Sequence, residues 1–199
     1  GKNPFYIDLS LINTKPRVVW DIRDFDKLMD VLETKNLICT DVEGDNLSTI
    51  TNTMFTLQIG FWHRGKVLSY VIPWRHHQFT WDKRDFAHIK KRLRKLFMRE
   101  DVENVMSFGQ FDIGQLCHEL DMDVFLNDIY DIPSAEFALD ENHKFIKEIY
   151  ASSGDWEKGY KPYALEFVEY RYGIFRPADM IIGKEDRANM KKFSIEEIA

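Results

Sequence analysis

Apolar residues recur every three or four positions in some stretches of this chain and every second position in others, which divides it into helices and strands. Phe25, Leu28, Met29 and Leu32 stand at helical spacing after Asp21 and Asp24, either of which can cap, so the pattern predicts a helix over about 22–34. The run Asn36-Leu37-Ile38-Cys39 then leads into Thr40-Asp41-Val42-Glu43, a buried strand over about 36–43. Met54 to Trp62 alternates as a second strand, Arg64-Gly65 reads as a turn, and Lys66 to Ile72 forms a third strand, stopped by Pro73. Phe86, Ile89, Leu93 and Leu96/Phe97 predict a helix from Asp82 to Met98, whose opposite face carries Lys83, Arg84, Lys91, Arg94 and Lys95. Glu103 to Phe108 reads as another buried strand. Gly109-Gln110 turns into a helix with apolar positions Ile113, Leu116, Cys117 and Leu120.

Asn127 to Asp131 is a short strand, and Pro133 opens a helix that includes Ala135, Phe137 and Leu139. Further helices are expected near residues 143–151 and from Pro162 to Tyr172, with Gly173 as the stop, and Ser194-Ile195-Glu196-Glu197 reads as a capped helix start. Arg17 to Trp20 is expected as a short edge strand, after a lead-in over residues 1–16 broken by Pro4 and Pro16. An antiparallel meander of three strands, followed by strands alternating with helices, predicts one α/β domain over 17–199 with a mixed sheet covered by helices.

Composition changes this picture little. The 199 residues suffice for one well-buried core, and a hydrophobic content of 44% with 30% charged residues is ordinary for a globular chain. No apolar run approaches a membrane span, so no membrane association is expected. Gly1-Lys2-Asn3-Pro4 lacks a signal-peptide pattern, and Gly1 in place of Met points to a processed or excised piece. With only Cys39 and Cys117, no disulfide framework is implied, and a reducing, cytoplasmic setting is the simpler reading. The formal charge of −6 argues against a protein that coats nucleic acid nonspecifically. It does not exclude nucleic-acid chemistry, because an acidic metal site contributes negative charge that bound cations offset.

Such a site is what the first acidic strand predicts. Residues i and i+2 of a strand share a face, so Asp41 and Glu43 project side by side. Two neighbouring carboxylates repel unless a proton or a divalent cation sits between them, and hard oxygen donors suit Mg²⁺ or Mn²⁺. Asp112, at the start of a helix after a buried strand, is by itself readable as a helix-terminal acid.

Taken together, Asp41-Val42-Glu43-Gly44-Asp45-Asn46-Leu47, then Ile72-Pro73, then Gly109-Gln110-Phe111-Asp112 resemble the proofreading 3′–5′ exonuclease domain of family A (DNA polymerase I-like) DNA polymerases. That family lies within the DEDD, or DnaQ-like, superfamily. The resemblance extends through Asp131 to Asp140 and Tyr163 to Ile174, and ribonuclease D-like enzymes share the same framework. It implies a ribonuclease H-like fold, two divalent metals, and hydrolysis of the 3′-terminal nucleotides of single-stranded or frayed DNA. It further implies a polymerase domain following in the parent chain, in a bacterial or viral replication setting. By position Asp41 would bridge both ions, Glu43 would bind one and orient the attacking water, and Asp112 would hold the other. Leu47 matches the residue that wedges against the terminal bases, and Phe111 is a second substrate-binding candidate.

One element departs from the family. The superfamily's third motif supplies a fourth Asp, preceded by Tyr four residues earlier or by His, and no Tyr-x-x-x-Asp occurs in residues 1–199. The motif is expected just beyond Ala199, which leaves weak or absent activity in these residues alone. The alternatives are a catalytically inactive nucleic-acid-binding domain of the same fold and a ribonuclease D-like enzyme acting on RNA 3′ ends. Elsewhere, Asp45 reads as a turn residue, the cationic face of residues 83–99 as a solvated one, and His76 and His77 as loop residues.

Overall fold

The computed structural model describes residues 15–45, 48, 51–139 and 192–198. The helices expected near 143–151 and 162–172, and Leu47, lie outside the described residues. The elements follow in the order β1 (Arg17–Val18), α1 (Ile22–Leu32), β2 (Leu37–Gly44), β3 (Met54–His63), β4 (Lys66–Pro73), α2 (Lys83–Phe97), β5 (Glu103–Met106), α3 (Gly109–Leu120), β6 (Asp128–Asp131), α4 (Ile132–Leu139) and a short α5 (Ile195–Ile198). The strands form one six-stranded sheet in the order β1-β4-β3-β2-β5-β6. β2, β3 and β4 make the antiparallel meander, while β5 and β6 extend it in parallel beyond β2, and β1 lies parallel to β4 at the far edge. The α/β mixed sheet covered by helices is therefore the observed architecture.

Asp21 caps α1, accepting the Asp24 N–H at 2.8 Å, and Asp82 caps α2 through the N–H groups of Arg84 and Asp85. Both helices bury the stripe that their periodicity predicts: Phe25, Leu28, Met29 and Leu32 from α1, and Ile89, Leu93, Leu96 and Phe97 from α2. These pack with Ile38, Val42, Leu57, Ile59 and Ile72 of the sheet in a single core. Two cations of α2 tie it to α1 and its C-cap, Arg92 and, at 3.7 Å from Glu33, Lys95. Arg92 reaches Asp26, Asp30 and Glu33 at 2.9–3.0 Å, and His88 reaches Asp26 at 2.7 Å.

A buried polar chain fixes the register of the parallel strands. Thr40 Oγ1 donates to Asn104 Oδ1 at 3.0 Å, and Asn104 Nδ2 reaches Asn127 Oδ1 at 3.4 Å. Asn127 Nδ2 in turn donates to the carbonyls of Leu96 and Arg99 at 3.1 and 2.8 Å. Fully satisfied networks of this kind specify one arrangement, because any slip strands polar groups in the core. Asn127→Ala, which removes the side-chain donor to the Leu96 and Arg99 carbonyls, is expected to lower stability by about 1–3 kcal/mol, read by urea denaturation. A loss under about 0.5 kcal/mol would show the network to be dispensable.

Candidate active site

Alternation along β2 turns Ile38, Thr40 and Val42 into the core and leaves Cys39, Asp41 and Glu43 on the opposite face, the acids half-buried. Across the antiparallel ladder Asp41 faces Gln58 and Glu43 faces Thr56. The register slips between Glu43 and Gly44, so the end of β2 carries an irregularity just past the second acid, a device that re-aims side chains at sheet ends. Gly44 is required there by close approach: a Cβ on it would stand 2.2 Å from the Asn52 side chain. The loop that leaves β2 is closed by Asp45, whose Oδ1 accepts the Thr53 N–H at 2.8 Å, in keeping with the reading of Asp45 as a turn residue.

The third acid arrives from α3. Its buried side carries Asp112, Gln115 and Glu119 beside Leu116 and Leu120, whereas Ile113 and Cys117, which the apolar spacing places inward, are half-buried. Each polar group on that side has its own contacts. Gln115 Oε1 accepts Asn52 Nδ2 at 3.1 Å, which ties the loop after β2 to the helix. Glu119 accepts Trp74 Nε1 at 2.9 Å and pairs with Arg75.

Asp112 is 4% exposed. Burial, followed by the charges of Asp41 and Glu43, pushes its carboxyl up to about 8, against the opposing effect of a hydrogen bond from the Val42 backbone. The structure thus brings Asp41, Glu43 and Asp112 into one electrostatic neighbourhood, across about seventy residues of chain. Cys39 lies on the same strand face. Its residue surface is accessible, yet its thiol is desolvated and, with Asp41 and Asp112 nearby, pushed up to about 11. Without a metal the sulfur stays protonated at neutral pH and is not an activated nucleophile.

Among the described residues no group of three or more His, Cys, Asp or Glu side chains stands close enough together to hold a metal ion as the side chains are placed. The donor set still suits a hard ion. The charges of Asp41 and Glu43 raise the proton affinity of Asp112, a divalent cation would take the place of that proton, and Mg²⁺ usually completes its shell with water and phosphate oxygens. Phe111 is half-buried in the first turn of α3. His76 is engaged structurally: its ring meets the Phe193 carbonyl at 3.0 Å and the Gln78 N–H at 3.3 Å, clasping the segment before α5. A recess of about 230 Å³ lined by Thr53, Phe55, Arg75, His76 and His77 opens at the same end of β3.

Two features beside the acids escape the periodicity. Phe108, expected as the end of a buried strand, is 59% exposed and adopts a left-handed conformation at the start of α3. Asp131, at the end of β6, accepts the Gly109 N–H at 3.1 Å and adds its charge to those acting on Asp112.

No protein-family model and no curated protein matches the chain. Solved structures do share its fold. A chain in the structure of the yeast NOT1 MIF4G domain co-crystallised with CAF1 matches at 12% identity and TM-score 0.53, over 92% of this chain and 86% of that one. The S. pombe Pop2p structure with Mg²⁺ and Mn²⁺ bound matches at 10% identity and TM-score 0.50, over 70% and 82%. The Trypanosoma brucei RNase D complex with RNA U12 matches at 12% identity and TM-score 0.46, over 62% and 39%, so the chain spans about two fifths of that enzyme. At these identities the likeness is one of fold.

Proposed function

We propose that this chain is the catalytic domain of a metal-dependent 3′–5′ exonuclease, with Asp41, Glu43 and Asp112 as its metal-holding acids. The observation that carries the reading is the convergence of those three carboxylates, read from the effect of Asp41 and Glu43 on Asp112. Mg²⁺ or Mn²⁺ bound by them would supply Lewis-acid stabilisation of the attacking and leaving oxygens in an in-line displacement at phosphorus. The protein's own part is to hold the donors at fixed angles. β2 presents Asp41 and Glu43 at two-residue spacing, and α3 brings Asp112 against the Val42 backbone. Without an ion, Asp112 keeps a proton at neutral pH, which limits repulsion among the acids. Leu47 and Phe111 are proposed to contact the terminal bases.

RNA 3′ ends are the preferred substrate, since the neighbours of this fold are mostly ribonucleases. A second reading, DNA 3′ ends in the setting of a family A polymerase, rests on the resemblance carried by the Asp41 to Leu47 run and Ile72-Pro73. The test is an assay of the full-length protein on matched RNA and DNA oligonucleotides labelled at the 5′ end, with Mg²⁺ or Mn²⁺. A ladder shortened from the 3′ end, stronger on RNA and abolished by EDTA, is expected. Products released internally, or degradation that persists in EDTA, would refute the reading.

A further inference from the structure

We infer that Asp131 is a positioning residue for Asp112: from the end of β6 it caps α3 and sets the angle at which Asp112 faces Asp41 and Glu43. The inference deepens the nuclease reading and rests on it. α3 starts without a cap of its own. Phe108 occupies the N-cap position with φ 58° and ψ 43°, and its side chain makes no capping hydrogen bond. The first N–H groups of a helix need acceptors, and here they come from another element. Asp131 Oδ1 accepts the Gly109 N–H at 3.1 Å, and the Phe108 backbone also hydrogen-bonds this carboxylate. Its other oxygen, Oδ2, accepts Ser134 Oγ at 2.6 Å and the Ser134 N–H at 3.3 Å. The carboxylate is thereby pinned on both sides, between the first turns of α3 and α4.

The surroundings leave α3 little freedom to start elsewhere. Asp131 stands opposite Met106 in the parallel ladder, beside the strand end from which the chain turns into α3. A Cβ on Gly109 would meet Met106 Sδ at 2.7 Å and Met106 Cβ at 2.8 Å, so the helix start is pressed onto β5. Asp112 follows Gly109 by three residues on the same helix side, and both are buried. Tilting the first turn therefore moves the Asp112 carboxylate directly. A purely electrostatic role makes a different prediction. Asparagine and alanine remove the same charge, but asparagine keeps an oxygen that accepts the Gly109 N–H.

The experiment compares Asp131→Asn and Asp131→Ala in the full-length protein, reading Mn²⁺ affinity from the paramagnetic resonance of free Mn²⁺ and amide exchange at Gly109 and Gln110. Asp131→Ala is expected to lose about 10–100-fold in Mn²⁺ affinity, with faster exchange at both amides, while Asp131→Asn stays within about threefold of wild type. Equal losses in the two variants, or an alanine variant that matches wild type, overturn the inference alone. Wild-type protein that binds no Mn²⁺ overturns the nuclease reading, and the inference with it. Should the alanine variant not melt cooperatively, Ser134→Ala takes its place. Losing the 2.6 Å bond to Oδ2 is expected to lower affinity about threefold to tenfold, and unchanged affinity overturns the inference.

Discussion

Asp41→Asn is expected to lower 3′-end trimming on the order of a thousandfold, through turnover more than through substrate affinity. Asp41 is the acid through which the site is connected. It shares a strand face with Glu43, and its charge acts on both Cys39 and Asp112. Its place in the fold is set by the backbone, because β2 is bonded to β3 on one side and β5 on the other. The substitution therefore removes a proposed ligand without removing a packing element, and the circular dichroism should match wild type. Single-turnover rates on a 5′-labelled oligonucleotide with saturating Mn²⁺ read the effect. A loss of less than about tenfold would take Asp41 out of the metal-holding set.

Asp112→Asn should act in opposite directions on catalysis and on stability. It too removes an acid of the proposed metal site, yet the metal-free protein is expected to become more stable. The native carboxyl titrates at about 8, against an ordinary value of 3.8. Its contribution to stability is therefore fully present below about pH 4 and is lost as pH rises through the native value. The unfolded chain gives up the proton early, and the folded one must either keep it or hold an unfavourable charge. In EDTA at pH 8.5, Asp112→Asn is expected to exceed wild type by about 2–4 kcal/mol, with the gap closing toward pH 4. Adding Mn²⁺ should then stabilise wild type and leave the variant nearly unchanged, since binding to the native state alone shifts stability by mass action. A variant less stable than wild type at pH 8.5 in EDTA would mean that Asp112 is not crowded by the other acids.

Much of the frame is legible in the hydrophobic pattern. α1 and α2 bury the residues that their spacing selects, because each packs one broad apolar side on the sheet. α3 is the instructive exception. Its inward side carries Asp112, Gln115 and Glu119, each compensated by a partner distant in sequence: Val42, Asn52, Trp74 with Arg75. A buried polar residue with a distant partner looks like a surface residue to any periodicity argument. Phe108 errs the other way, an aromatic that looks like core and stands exposed because the chain must reverse between β5 and α3.

Local sequence determined that Asp41 and Glu43 share a face, since strand geometry has a period of two whatever surrounds it. It also determined the caps of α1 and α2, which need only residues three apart. Only the tertiary structure decided that Asp112 comes under the charge of those acids, and that Asp131 accepts the Gly109 N–H at the start of its helix. Those contacts are made across parallel strands and a crossover, where partners are chosen by how the sheet closes on its core rather than by neighbours along the chain.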